Sequence, residues 1–329
     1  MNSTSAKTAR PATSPSTLNA LTSTLRDFPE SRLILALLLG GALIATQSGA
    51  FLSAANIKSV LLSFSFVAVA AFGQLLVIAT GRIDLSTGST MALSGMVTAL
   101  VLKEGTPVPI AIIAGTCAGA AVGLANAIFS VRLRLSSFIV TLGALQVARG
   151  ITIGLTQGDT ISGFDPSFLS IGSTTLLGLP APFWIAIVFL LIFAVALRYT
   201  AFGREIYSIG GNETAARLAG VNVDKLQTLV FVIAGAMSGI AGVLLTARLG
   251  ASVSNAATGY ELIVIASVVI GGASLSGGVG TALGVVLGAL LISLVNNALV
   301  LLVVPTYWQQ TFIGVVIVAA ALIDRIRRA

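Results

Sequence analysis

From residue 262 to residue 323 the chain runs for 62 residues without one ionised side chain. A helix needs about 20 largely apolar residues to cross the hydrocarbon of a bilayer, so this run holds three passes if it breaks at its glycine clusters. Shorter charge-free runs cover 33–57, 59–81, 85–102, 105–131, 166–197 and 226–247. Across all 329 residues only 9% are charged and 56% are hydrophobic, against roughly 25% charged in a soluble domain. The chain lacks the polar surface to stay in water. It reads as an all-α polytopic membrane protein with about ten transmembrane helices of about 20 residues each, some broken or short. The expected spans are 33–52, 58–80, 85–102, 108–131, 137–157, 182–198, 227–247, 261–274, 280–304 and 309–323.

The net charge is +7, from 18 Lys and Arg against 11 Asp and Glu. With the N-terminus inside, fourteen of those cations fall in inner segments, and only Lys58, Lys103 and Arg248 fall outside, with Arg149 inside a span. Cations are retained on the cytoplasmic side of short loops, so both termini are expected in the cytoplasm and the protein in the plasma membrane. The basic balance is thus a topology signal and not a nucleic-acid patch. Residues 1–31, rich in Ser, Thr and Ala, read as a disordered cytoplasmic tail, and 32–329 as the membrane domain.

Several chemistries are excluded. The chain has no histidine and a single cysteine, Cys117, so histidine-based zinc sites, Ser-His pairs and histidine proton relays are absent. No metal site and no catalytic residue is expected. None of the four lysines follows a glycine, which removes the phosphate-binding loop of an ATPase. Ion-coupled carriers place carboxylates inside the bundle, and here only Asp84 and Glu261 are candidates, both near span ends. An ion-coupled carrier stays the weaker alternative to a conduit powered by something else.

An internal echo joins Gly81–Gly88 to Gly271–Gly278: carried over 21 residues at an offset of 190 positions, it gives eight identities, among them Ser86 with Ser276 and Gly88 with Gly278. Paired glycine and serine interruptions suit either broken helices beside a wet cavity or close helix packing. In the inner loop 199–225, a short helix is expected: Asn212 caps it, Glu213 favours its positive end, Ala215 and Arg217 propagate it, and Gly220 stops it. Asp224 is expected to cap the next span.

The loop Gly203–Gly220 resembles the coupling segment of the membrane permease subunits of bacterial ribose-type ABC sugar importers. Gly81–Gly88, Thr258–Leu262 with Val269–Gly278, Asn296-Asn297 and Tyr307-Trp308-Gln309 resemble further motifs of that family, and the likeness runs from about residue 33 to 323. Two departures are Arg82, where glycine is usual, and Thr87, where valine is common. Arg82 either pairs with Asp84 locally or alters gating.

The resemblance implies a type II importer fold with an internal pseudo-repeat, translocating ribose or a similar monosaccharide. Relatives carrying branched-chain amino acids, nucleosides or furanose signalling sugars share that fold. It implies no cofactor on this chain, with ATP on a separate cytoplasmic ATPase subunit. Other implied partners are a sugar-binding protein outside, a second permease copy, and membrane lipid. Arg204, Gly210, Gly211, Asn212, Glu213, Ala215, Arg217 and Gly220 would meet the ATPase. Asp84, Ser86, Gly88, Ser276, Asn296 and Asn297 would line the route or lock helices. Asp159, Asp165, Arg248 and Glu261 would dock the binding protein.

Overall fold

The computed structural model describes residues 29–305 and, beyond them, 308, 309, 311, 312, 314, 315 and 318. The chain folds as α1 (Pro29–Gln47), α2 (Ala54–Ala79), α3 (Thr87–Lys103), α4 (Val108–Ala127) with a π-helical turn Ile128–Arg132, and α5 (Ser137–Thr156). These are followed by α6 (Pro166–Ser173), α7 (Ala181–Tyr199), α8 (Ala201–Gly211), α9 (Glu213–Leu218), α10 (Val223–Leu249), α11 (Tyr260–Ile270) and α12 (Ala282–Leu301). Among the described residues, seven helices (α1, α2, α4 with its π turn, α5, α7, α10 and α12) are long and apolar enough to cross a membrane. The bundle is that of a polytopic membrane protein.

Helix α10 is the centre. Its N-terminus is capped by Asn222, whose side chain accepts from the Lys225 amide, and its end is set by Gly250 in the left-handed conformation (φ 64°). Around it pack α2, α3 and α4, brought close by residues without side chains. On α4, Gly115, Gly119 and Gly123 recur every four residues and so share one face. A Cβ on Gly119 would strike the backbone of Gly235 and Gly239, one on Gly123 the backbone of Phe231, and one on Gly242 of α10 the backbone of Met91 in α3. Gly73 of α2 lies equally close to Ala234. Within lipid there is little hydrophobic drive between helices, so contact at backbone distance supplies the attraction through dispersion and weak Cα–H···O bonds. Helices α1 and α5 lie outside this centre and leave much of their apolar surface exposed.

The ends of the bundle differ. At one end α8 and α9 lie across the feet of the long helices: Ile206 and Ile209 of α8 are buried, and the Tyr207 hydroxyl donates to the Gly280 carbonyl at 2.6 Å. At the other end β1 (Ile161–Ser162) pairs antiparallel with β4 (Ala251–Ser252), and β2 (Thr175–Leu176) with β3 (Leu179–Pro180).

Several sequence expectations need correction. The expected span 85–102 is a 17-residue helix, and 261–274 is an 11-residue helix that stops at Gly271, ahead of Gly272 at φ 94°. The inner loop holds two helices rather than one, because Thr200 caps α8 and buried isoleucines seat it on the bundle. Asp224 does not cap α10; Asn222 does. The two echoed segments meet, Gly81 against Ser276 and Gly277. They diverge in structure, since the helix after the first begins at Thr87, whereas that register would start the second at Gly277 and not at Ala282. The tail 1–31, apart from the opening of α1, and most of the span 309–323 lie outside the described residues.

The glycine seam makes a sharp prediction. Gly119→Val should destabilise the bundle by roughly 1–3 kcal/mol or more, as overpacking does, whereas Gly143→Val, with nothing within 4 Å of its new Cβ, should be close to neutral. Thermal unfolding of the two detergent-solubilised variants checks this.

Candidate functional site

The α8–α9 end carries the eight residues from Arg204 to Gly220 that the sequence singled out as one group. Asn212 serves both helices: its N–H donates to the Ser208 carbonyl at 3.0 Å, and its Oδ1 accepts from the Ala215 amide at 2.9 Å. Gly220 then turns the chain at φ 88°. From α9 the Arg217 guanidinium reaches two carboxylates, Glu213 Oε1 at 3.2 Å and Asp224 Oδ1 at 2.7 Å. These bonds, Asp224 first, raise the Arg217 pKa above its ordinary value. The clasp ties the short helix to the first turn of α10. Beside it Leu218 stands 86% exposed. Arg204 and Ala215 face a groove of about 430 Å³ between α8 and α9.

The two adjacent glycines divide. Gly211 has open space around it, but Gly210 is wedged against the Ala79 carbonyl and Gly278 amide. Gly210 therefore seats α8 on the bundle.

Asp84 and Ser86 are buried together where α3 begins. Asp84 Oδ1 accepts from the Ser86 amide at 2.7 Å and its hydroxyl at 2.6 Å, and Asn126 of α4 donates to that hydroxyl at 2.9 Å. The Leu85 amide donates to Thr141 of α5 at 3.0 Å. The group locks three helices at one level. Asn126, which sequence reasoning missed, was marked by being a lone amide inside the charge-free run 105–131. Gly88 follows in the first turn of α3, where a Cβ would strike the Ala257 carbonyl and Glu261 Oε2.

Arg82 forms no ion pair with Asp84. Its Nη1 donates to the Ser130 carbonyl at 3.1 Å, and it feels the fields of Glu213 and Asp224. Thr87, the other departure, lies 3.4 Å from Gln74 Oε1.

Asn297 makes a reciprocal amide pair with Asn56 of α2, at 3.0 and 2.7 Å, while Asn296 beside it is half-buried. Ser276 is exposed at the α8 end, its hydroxyl 2.8 Å from that of Ser274. The pathway candidates therefore do not form one cluster. Of the four docking candidates, Asp159, Asp165 and Arg248 are exposed. Asp165 caps α6, and its bond from the Ser167 amide and hydroxyl holds its pKa below the usual value. Glu261 is half-buried beside Gly88, with Oε1 accepting from the Gly259 amide at 3.2 Å. Arg149 closes this region by donating to the Ser254 and Ala256 carbonyls, both at 2.8 Å. Among the described residues no three His, Cys, Asp or Glu side chains are grouped to hold a metal.

Residues 56–321 match the profile of a family described as the branched-chain amino acid transport system permease component. The chain is 38% identical over 299 residues to the ribose import permease protein of Escherichia coli K12, covering 90% of this chain and 93% of that one. It is 38% identical over 278 residues to the L-arabinose ABC transporter permease protein of Azospirillum brasilense, covering 84% and 82%. To the ribose import permease protein of Bacillus subtilis it is 37% identical over 289 residues, covering 87% and 90%. No solved structure matches the chain.

The Asn56–Asn297 pair can be measured. Interhelical hydrogen bonds in membranes average about 0.6 kcal/mol with a maximum of about 1.7. A double-mutant cycle with Asn56→Ala and Asn297→Ala, read by unfolding in detergent, should return a coupling of about 1 kcal/mol.

Proposed function

This chain belongs to the family of branched-chain amino acid transport system permease components, and on that footing we propose that it is the membrane subunit of an ATP-driven importer for a monosaccharide of the ribose or arabinose kind. The near-full-length similarity to ribose and arabinose permeases favours a sugar over the branched-chain amino acids of the family description. The chain is a transport subunit and not an enzyme. ATP hydrolysis takes place on a separate ATPase subunit, and a binding protein delivers the solute from the other face.

The observation that carries the mechanism is α9. Leu218 is 86% exposed on a helix of six residues, beside the Arg217 clasp. A large apolar side chain held in water next to a fixed charge pattern is the composition of a protein contact. In this reading the end bearing α9 faces the cytoplasm, as do both termini, and the ATPase seats on Leu218 together with Arg204, Gly210, Gly211, Asn212, Glu213, Ala215, Arg217 and Gly220. Because Arg217 binds Asp224 at the foot of α10, a push on α9 reaches the helix around which α2, α3 and α4 pack. ATP then favours one of two packings of the bundle.

The finer architecture is part of the same proposal. About ten passes, allowing for α3, α11 and a last helix after 305, form a type II importer fold with a pseudo-repeat. Two copies make the route, and lipid surrounds them. Asp84, Ser86, Gly88, Ser276, Asn296 and Asn297 shape the route by fixing the helices that border it. Asp159, Asp165 and Arg248, with Glu261 beneath them, form the side that meets the binding protein.

The test uses the reconstituted importer with its ATPase and binding protein. Labelled ribose or arabinose should accumulate with ATP and labelled leucine should not. Arg217→Ala and Glu213→Ala should lower uptake by roughly ten- to hundredfold, the range of ordinary coupling energies, while ATP hydrolysis persists. Exposed ion pairs add little to stability, so both variants should still reach the membrane. Leu218→Asp should weaken ATPase retention on a tagged column. Normal uptake in all three variants would remove α9 from the mechanism.

A further inference from the structure

Beneath α9 lies a cleft of about 480 Å³, lined chiefly by Arg82, Ser130, Arg134, Glu213, Arg217 and Asp224. Its charges are unevenly used. Arg217 already holds both carboxylates. Arg82 spends Nη1 on a neutral carbonyl, and its Nε is buried without a partner. Arg134 follows the π-helical turn and sits at φ 55°, a left-handed conformation that a long side chain adopts only when its surroundings hold it there. Two guanidiniums are thus brought to one cleft, and among the described residues no carboxylate is bonded to either.

Leu135, about half exposed, also lines the cleft, and Phe129, Leu133 and Ile139, close to it in the chain, are 48%, 59% and 68% exposed. They continue into the outward apolar faces of α4 and α5. Cations inside and apolar side chains at the lip, at the end of membrane-spanning helices, match the two parts of a lipid. Basic pockets between transmembrane helices on the cytoplasmic side bind anionic headgroups.

We propose that this cleft binds the phosphodiester headgroup of an anionic phospholipid, its phosphate between Arg82 and Arg134 and its acyl chains along Phe129, Leu133 and Ile139. An acidic protein loop would leave the apolar rim uncovered, which favours the lipid. The bound phosphate would stand beside the Arg217 clasp, so occupancy bears on how firmly α9 is tied to α10. The proposal rests on the membrane reading of the chain and not on the coupling role of α9, and lipid retention is measured separately from uptake.

The experiment is native mass spectrometry of the purified importer in detergent, titrated with phosphatidylglycerol, phosphatidylcholine or inorganic phosphate. Wild type should retain phosphatidylglycerol over phosphatidylcholine. The double variant Arg82→Gln with Arg134→Gln should lose apparent affinity roughly thirtyfold, the factor for two interfacial arginines. Arg132→Gln, which removes a neighbouring charge outside the cleft lining, should change it little. If the double variant does not assemble, the single variant Arg134→Gln is read in the same way, with a smaller loss expected. Equal loss in Arg132→Gln, or undiminished retention in the double variant, would overturn the site. Displacement of the lipid by millimolar-range inorganic phosphate would show an anion site with no use for acyl chains, and retention only when the ATPase is absent would assign the cleft to the protein interface. Either result overturns the lipid.

Discussion

The structure depends on backbone-to-backbone contact around one helix. Where α10 meets α2, α3 and α4, glycines at 73, 119, 123, 235 and 242 let chains approach to distances that any side chain would block. In lipid this closeness replaces the hydrophobic drive that assembles soluble cores. Helix α3, built largely of small and hydroxylated residues, sits in the middle: the Thr98 hydroxyl donates to the Ser94 carbonyl of its own helix at 2.8 Å, and among the described residues the Thr90 and Ser94 hydroxyls are buried without a partner.

A centre so tightly packed moves as a unit or changes by steps, because close-packed interfaces have discrete arrangements. This gives α9 its interest. The short helix is tied to the foot of α10 through Arg217 and Asp224, and α8 is seated on the bundle by Gly210, Ile206 and Tyr207. Both short helices are thus joined to the long ones by side-chain and backbone contacts.

The irregular segments follow from the same solvent. Backbone groups at membrane depth must be satisfied internally, and several groups of the segments flanking α11 find partners within the chain. Arg149 covers the Ser254 and Ala256 carbonyls before α11. After α11, the Gly278 amide donates to the Ala79 carbonyl at 2.9 Å and the Ser274 amide to the Val279 carbonyl at 3.1 Å. Arg149 within a span is therefore a structural cation.

Charge-free runs, terminal caps and small-residue spacing are local properties, and by itself the sequence determined the membrane class, the approximate place of most helices and the capped helix after Asn212. What it left undecided were matters of distance between remote segments. Asn297 finds Asn56, Arg82 turns from Asp84 to Ser130, Gly210 packs against the bundle while Gly211 stays open, and Glu261 comes to lie beside Gly88. Neighbours in sequence share a helix face by arithmetic, but which faces meet is set by where glycines permit contact across the bundle, and that is a property of the folded whole.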